Sequence, residues 1–491
     1  MTALKRRTAY CALIALVIVG GLRPFATARA DVVISTAQTR NMACAVGVCA
    51  PTAKNAVLNV GDLVTMLASG NIEVSTTGSS VQAKDIDVNA AVSWSDANTL
   101  ALDAFESVAI KKQMMISGLG GLSVTTNDGG STGIFSFEKN GQITFANLSS
   151  ALTINGAPYA LFGDIATLAS AIAANPAGDY ALANDYDASG DGTYQNSPIP
   201  TQFSGAFEGL GNTISSLSIV GNGEPDALGL FAELASNNQP GGSVANIVLK
   251  KVNITGNGFT VGGLVGFNIG TINGSFASGS VSSSFDQIGP IIGMLVGANY
   301  GTITRSGAAG TVMSGNPADA GGLAGASVGV ISESYADCNV SGGSMSAAAG
   351  LVGQNEESIG QSYAVGKTAA GAGSDVGGLV GMNTEGSAIS QTYSTAAVKL
   401  AQGSPRGYRG GLIGIDYSPS GNNTFTYWDT ETSHVKNPAK GAGHPKSDPG
   451  ITGLTTEQLQ SGLPQGFDPK VWTEDPNING GLPYLNDNPP R

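Results

Sequence analysis

Between Gly262 and Asp416 the apolar positions recur about every 28 residues, separated by Gly, Ser, Thr and Asn. Six copies of one pattern read Gly263-Leu-Val-Gly266, Met294-Leu-Val-Gly297, Gly322-Leu-Ala-Gly325, Gly350-Leu-Val-Gly353, Gly378-Leu-Val-Gly381 and Gly411-Leu-Ile-Gly414. Eight positions after the leucine come Ile272, Ile303, Ile331 and Ile359; seventeen after it come Val281, Val312 and Val340. Self-similarity at this period predicts a solenoid, here with three short strands per turn.

A single turn cannot fold alone. Each buried Leu, Ile or Val contributes roughly 1.5–3 kcal/mol, whereas ordering the backbone costs about 1–2 kcal/mol per residue. Stacked turns share one core, each apolar side chain lying on its counterpart above and below. The glycines beside each leucine are predicted at tight, often left-handed corners, where glycine alone meets no steric cost.

Upstream of the repeats the pattern changes to close pairs at a period of two. These are Ile72/Val74, Ile86/Val88, Leu100/Leu102, Val108/Ile110, Leu122/Val124, Phe135/Phe137, Ile143/Phe145 and Leu152/Ile154, which read as short half-buried strands of further coils. A helix is predicted over 60–68, covering the open end of the stack, where unpaired strand edges would invite another chain. A second is predicted over 164–173, stopped by Asn175-Pro-Ala-Gly178. Beyond Trp428 the rhythm fails, and a C-terminal cover with one short helix over 455–460 is expected. The organisation so derived is a leader at 1–30, a segment at 31–56, a strand-rich section at 57–161, a helix-containing joint at 162–200, the repeats at 201–430 and an irregular cap at 431–491.

Lys5, Arg6 and Arg7, an apolar run from Cys11 to Val19, and Ala28-Arg29-Ala30 together read as a cleavable signal peptide, so export and a mature start at Asp31 are expected. No later run is long enough for a membrane span. Without the leader, 18 basic residues face 36 acidic ones, which disfavours nucleic acid as a partner. In an exported chain Cys44 and Cys49 are the plausible local disulfide. Cys338 takes the place of Gly279, Gly310 and Gly366 in neighbouring repeats and is expected at a corner.

The run Phe203-x-Gly-x-Phe-x-Gly-x-Gly-x-Thr-Ile214, the Gly-Leu-Val-Gly-x-Asn repeats with Ser-Tyr-Ala downstream, and the Tyr427-Trp-Asp429 ending resemble the GLUG-repeat proteins of bacterial surfaces. The section from Val57 to Leu161 is similar to the strand-rich parts of filamentous-haemagglutinin-like exoproteins. The resemblance implies an all-β, right-handed parallel β-helix, exported and acting in adhesion. An export motif of the Asn-Pro-Asn type, a C-terminal autotransporter barrel and a sortase-type anchor are not found, so the outer-membrane export partner stays open. The IgA-cleaving metallopeptidases among GLUG proteins need a His-Glu-x-x-His helix, and the two histidines here, His434 and His444, do not form one.

Four residues after the repeat leucines stand Asn268, Asn299, Ser327, Asn355, Asn383 and Asp416, which predict a structural ladder of side-chain hydrogen bonds. Phe276, Tyr335, Tyr363 and Tyr393 form a second series. Exposed, these tyrosines would make a stripe for stacking on sugar rings; their parity with Ile272, Ile331 and Ile359 instead points inward, and Glu333 and Gln361 between them leave room for a bend. Asp185, Asp187, Ser189 and Asp191 match the first half of a calcium loop, although an ordinary polar turn accounts for the same residues. No convergent catalytic set is found. The expectation is a secreted or surface-exposed adhesin-like protein without catalysis or cofactor, calcium aside, whose partner is a host or bacterial cell-surface glycan or protein. A polysaccharide-active lyase or hydrolase, or a purely structural extracellular scaffold, are the alternatives.

Overall fold

The computed structural model describes residues 31–221, 227–235, 241–283, 289–403, 406–445 and 447–491; the expected signal peptide lies outside the described residues. The chain is an all-β parallel solenoid of about 14 turns. In the repeats one face stacks Phe231–Leu234, Val265–Asn268, Val296–Asn299, Ala324–Ser327, Val352–Asn355, Val380–Asn383, Ile413–Asp416 and Ala442–His444 in parallel. The second stacks Thr260–Val261, Ile291–Gly293, Asp319–Gly321, Ala347–Ala349 and Asp375–Gly377. The third carries the long strands Val248–Gly256, Phe276–Ser283, Gly307–Ser314, Tyr335–Gly342 and Tyr363–Ala370.

The periodic residues meet as the pattern requires. Ile272, Ile303, Ile331, Ile359 and Ile389 pair rung on rung. Leu264, Leu295, Leu323, Leu351, Leu379 and Leu412 are all fully buried. The motif glycines owe their place to something other than the expected left-handed corners, because none of them has a positive φ. A Cβ on Gly353 would lie 2.5 Å from the carbonyl oxygen of Gly325, and one on Gly381 would lie 2.6 Å from that of Gly353. Neighbouring coils therefore approach too closely for any side chain there. The left-handed corners fall instead at Arg305, Glu333, Gln361 and Gln391, with φ of 44, 47, 39 and 50°.

The N-terminal section continues the same stack. All eight apolar pairs lie in strands, joined by Val92–Trp94 and Gln113–Ile116, which form a face of their own with Gln142–Phe145. The helix Val60–Leu67 begins where the Asn59 side chain accepts from the backbone N–H groups of Gly61 and Asp62, and it buries Leu63 and Leu67 against the first coils. The second helix, Ile165–Ala174, is capped by Asp164 and buries Ile165, Leu168 and Ile172. At the joint Ala157–Phe162 pairs antiparallel with Leu152–Ile154, and backbone hydrogen bonds tie the sections together: Ile143 N–H donates to Leu210 O at 2.9 Å, and Phe145 N–H to Ala183 O at 2.8 Å. The Asn212 amide donates to both Ile143 O and Leu182 O.

The stack also outlasts the position where the sequence rhythm fails. Ala442–His444 and Ile451–Leu454 still pair in parallel with the coil before them, so pairing reaches Leu454 instead of stopping near 430. A short helix, Thr456–Leu459, follows with a complete capping box between Thr455 and Gln458. The rest of the chain turns back along the outside of the solenoid. Gln465 O accepts from Tyr427 Oη, Pro483 O from Tyr393 Oη, Asn488 donates to Ser306 O and Glu333 O, and the Arg491 N–H reaches Tyr335 Oη. This strap runs from the last coil toward the first.

Candidate functional site

The tyrosine series decides where a ligand can reach. Tyr335 and Tyr363 stack at 5.3 Å and 10°, Tyr363 and Tyr393 at 5.1 Å and 3°. They point neither into the solenoid core nor into solvent. The left-handed residues Glu333, Gln361 and Gln391 reverse the parity, so Ser334 and Ser362 turn inward and the next residue, tyrosine, turns out. The strap then covers the rings: Phe467, Trp472 and Leu485 form one buried cluster with them, apart from the core of the coils. The proposed exposed glycan stripe of Tyr335, Tyr363 and Tyr393 is thus corrected, because the three are at most 2% exposed. Burial pushes the Tyr335 hydroxyl up to about 12. Gly307 takes the place of an aromatic in this series; a Cβ there would stand 2.8 Å from the Tyr335 ring.

The acidic loop is arranged as a turn. Asp185 accepts from Gln142 Nε2 at 2.9 Å and from the Thr213 N–H at 2.7 Å, Asp187 from the Ser189 N–H at 3.1 Å, and Asp191 from the hydroxyls of Tyr186 and Tyr194. Each carboxylate is engaged by different neighbours. Among the described residues no group of three or more His, Cys, Asp or Glu side chains is placed to hold a metal ion, so Asp185, Asp187, Ser189 and Asp191 are not brought together as ligands.

Cys44 and Cys49 are bonded across the hairpin of Met42–Ala45 and Val48–Pro51. Cys338 lies mid-strand, not at a corner; it pairs with Gly310 and Gly366, points into the core and donates from Sγ to Gly322 O at 3.4 Å. The asparagines form the expected ladder. Nδ2 of Asn268 donates to Asn299 Oδ1 at 2.7 Å, Asn299 to Ser327 Oγ at 3.0 Å, Asn355 to Asn383 Oδ1 at 2.8 Å and Asn383 to Asp416 Oδ1 at 3.0 Å. A second ladder was not legible in the spacing: the N–H groups of Ser275, Ser306 and Ser334 each donate to the serine hydroxyl one coil on.

A cleft of about 490 Å³ between the strap, the first coils and the coils of Arg305 and Glu333 is open to a polar ligand. Seven carboxylates line it, from Asp31, Asp85, Asp87, Glu106, Glu138, Glu333 and Asp487, with Lys111 and Arg305 as the cations. Lys111 bridges Asp87 and Glu138 at 3.2 Å each, and Arg305 stands 3.9 Å from Glu333. Burial raises the Asp87 carboxyl, with Lys111 opposing it. These residues come from six coils and the strap, a convergence that sequence separation hides. Carboxylates fixed in this way accept hydrogen bonds from hydroxyl or ammonium groups of a ligand. No helix among the described residues is long and apolar enough to cross a membrane.

No family model matches the chain. A stretch of 90 residues is 40% identical to Halomucin of Haloquadratum walsbyi, a match that covers 18% of this chain and 1% of Halomucin.

Proposed function

We propose that this chain is an exported GLUG-type surface protein that acts by adhesion, holding a cell-surface or matrix glycan in the cleft between its strap and its first coils. The observation that carries the reading is the cleft, a concavity of about 490 Å³ rich in fixed carboxylate acceptors on a rigid stack. Ligand-sized clefts with a few convergent polar groups are the usual binding sites of folded chains. The likeness to Halomucin is confined to a fifth of the chain and contributes no activity to the reading. A second reading, a polysaccharide-active enzyme, rests on Lys111 standing between the carboxylates of Asp87 and Glu138.

One assay separates the two. Labelled residues 31–491 are incubated with intact host and bacterial cells, and bound protein and released sugar are measured in the same samples. Saturable binding without released sugar is expected. Released sugar would replace adhesion by catalysis, and absence of both would leave a structural scaffold.

A further inference from the structure

The first coil leaves one strand edge open. Met42–Ala45 pairs antiparallel with Val48–Pro51, and Val48–Pro51 pairs in parallel with Ile72–Ser75, which joins the hairpin to the stack. Met42–Ala45 is therefore the last strand of its sheet, with no second strand beside it among the described residues. The helix Val60–Leu67, expected to cover this end, rests instead on Ala56–Asn59, Ile72–Ser75 and Val92–Trp94.

The place of the disulfide tells which backbone groups the edge presents. Cys44 and Cys49 stand directly opposite each other with Cα atoms 4.0 Å apart, the close spacing of a pair that exchanges no backbone hydrogen bonds. Pro51, which has no N–H, stands opposite Met42 and belongs to the same class of pair. The hydrogen-bonded pairs of the hairpin are then Ala43 with Ala50 and Ala45 with Val48. The N–H and C=O groups of Met42 and Cys44 point the other way, and among the described residues no backbone group bonds them.

The surface around this edge selects its partner. Soluble chains blunt an open edge with charge, proline or a bulge, yet no Lys, Arg, Asp or Glu occurs from Asn41 to Ala53. Val46 at the hairpin tip is fully exposed and Val48 is 40% exposed. Beside them lies a hollow of about 540 Å³ whose walls include Met66 and Ile72. Residues 31–491 hold 18 basic against 36 acidic residues, so two copies repel each other over most approaches, and an uncharged apolar edge lets them meet without that cost. The edge also matches itself. About a two-fold axis at Ala43, Met42 of each copy stands opposite Cys44 of the other, and the outward N–H and C=O groups of both residues meet in four hydrogen bonds. Ala43 then faces Ala43 across the axis, a pair small enough for the close spacing there.

We propose that two copies of this chain pair through Met42–Ala45, their hairpins forming one antiparallel sheet across a two-fold axis, so that two solenoids join at their N-terminal ends. The contact uses the same patch on both copies and closes at two. A four-residue edge with its apolar tip is small beside the roughly 800 Å² that each partner buries in a standard interface. The dimer is accordingly weak, with a Kd of roughly 10⁻⁵–10⁻⁴ M.

The test is sedimentation equilibrium of residues 31–491 at concentrations up to about five times the upper Kd, with two variants at the axis, Ala43→Lys and Ala43→Glu. Ala43 is exposed, so both variants should melt with the unsubstituted chain. The unsubstituted chain should rise from the mass of one copy to that of two and no further. Each variant alone places like charges directly opposite each other and should dimerise at least about tenfold more weakly. An equal mixture of the two sets Lys against Glu and should regain the dimer, which a folding defect would not allow. A mass of one copy throughout for the unsubstituted chain, growth beyond two copies, a dimer untouched by Ala43→Lys, or a mixture no more dimeric than its parts would overturn the pairing.

Discussion

Ser327 interrupts the asparagine ladder, and the interruption has a visible cost. The serine hydroxyl donates its single hydrogen to Gly329 O at 2.9 Å, and in the next coil Asn355 Oδ1 is buried without a donor. Leaving such an acceptor unsatisfied costs about 1–3 kcal/mol. Ser327→Asn restores the rung and should stabilise the chain by about 1 kcal/mol, read as a rise in the denaturation midpoint; an unchanged or lowered midpoint would show that the coil has no room for the amide. Glu208 is the other telling residue. Burial pushes its carboxyl from 4.5 up to about 8, opposed by hydrogen bonds from the Leu210 N–H and the Asn246 amide. The folded chain therefore holds a proton that the unfolded chain releases near pH 4.5. This contribution to stability is complete below that value and disappears as pH rises toward about 8. Glu208→Gln should flatten the decline in melting temperature between pH 5 and 8, and a slope equal to that of the unsubstituted chain would contradict the assignment.

Elements were legible to different degrees. Strands at period two and the repeat leucines needed only alternation and spacing, because burial on one side is what both record. The two longer helices matched to within a residue or two, since Asn59 and Asp164 are side-chain caps. Corners were not legible. Arg305, Glu333, Gln361 and Gln391 occupy a left-handed conformation that their side chains do not advertise, so the tyrosines' direction could not be read from parity. The last coil was hidden too, because Ala442–His444 and Ile451–Leu454 lack the repeat's spacing and are placed by backbone pairing. The strap answers for the tyrosines. Trp472 is fully buried, 4.5 Å from the Phe467 ring and 6.0 Å from the rings of Tyr363 and Tyr393. Trp472→Ala should weaken strap docking by about 3–5 kcal/mol while the coils persist. Limited trypsin digestion should then cut after Lys470 many times faster, and an unchanged rate would mean the strap is held elsewhere.

At the scale of the whole molecule, the strap turns a linear stack into one with a cleft. Residues more than 400 positions apart, such as Asp31 and Asp487, line the same cleft because the last segment runs back to the first coils. No sequence pattern announces this, since the strap has no period and its partners are spread over the chain. Residues 31–491 hold 18 basic against 36 acidic residues, and the cleft itself is lined by seven carboxylates and two cations, so binding there should favour hydroxyl-rich or cationic groups over anionic ones. The most direct measurement is the binding isotherm of residues 31–491 on intact cells beside that of the double variant Glu138→Gln, Asp487→Asn. The account expects saturable binding by the unsubstituted chain and a Kd at least about tenfold weaker in the variant, whose core is untouched. Equal isotherms would contradict it.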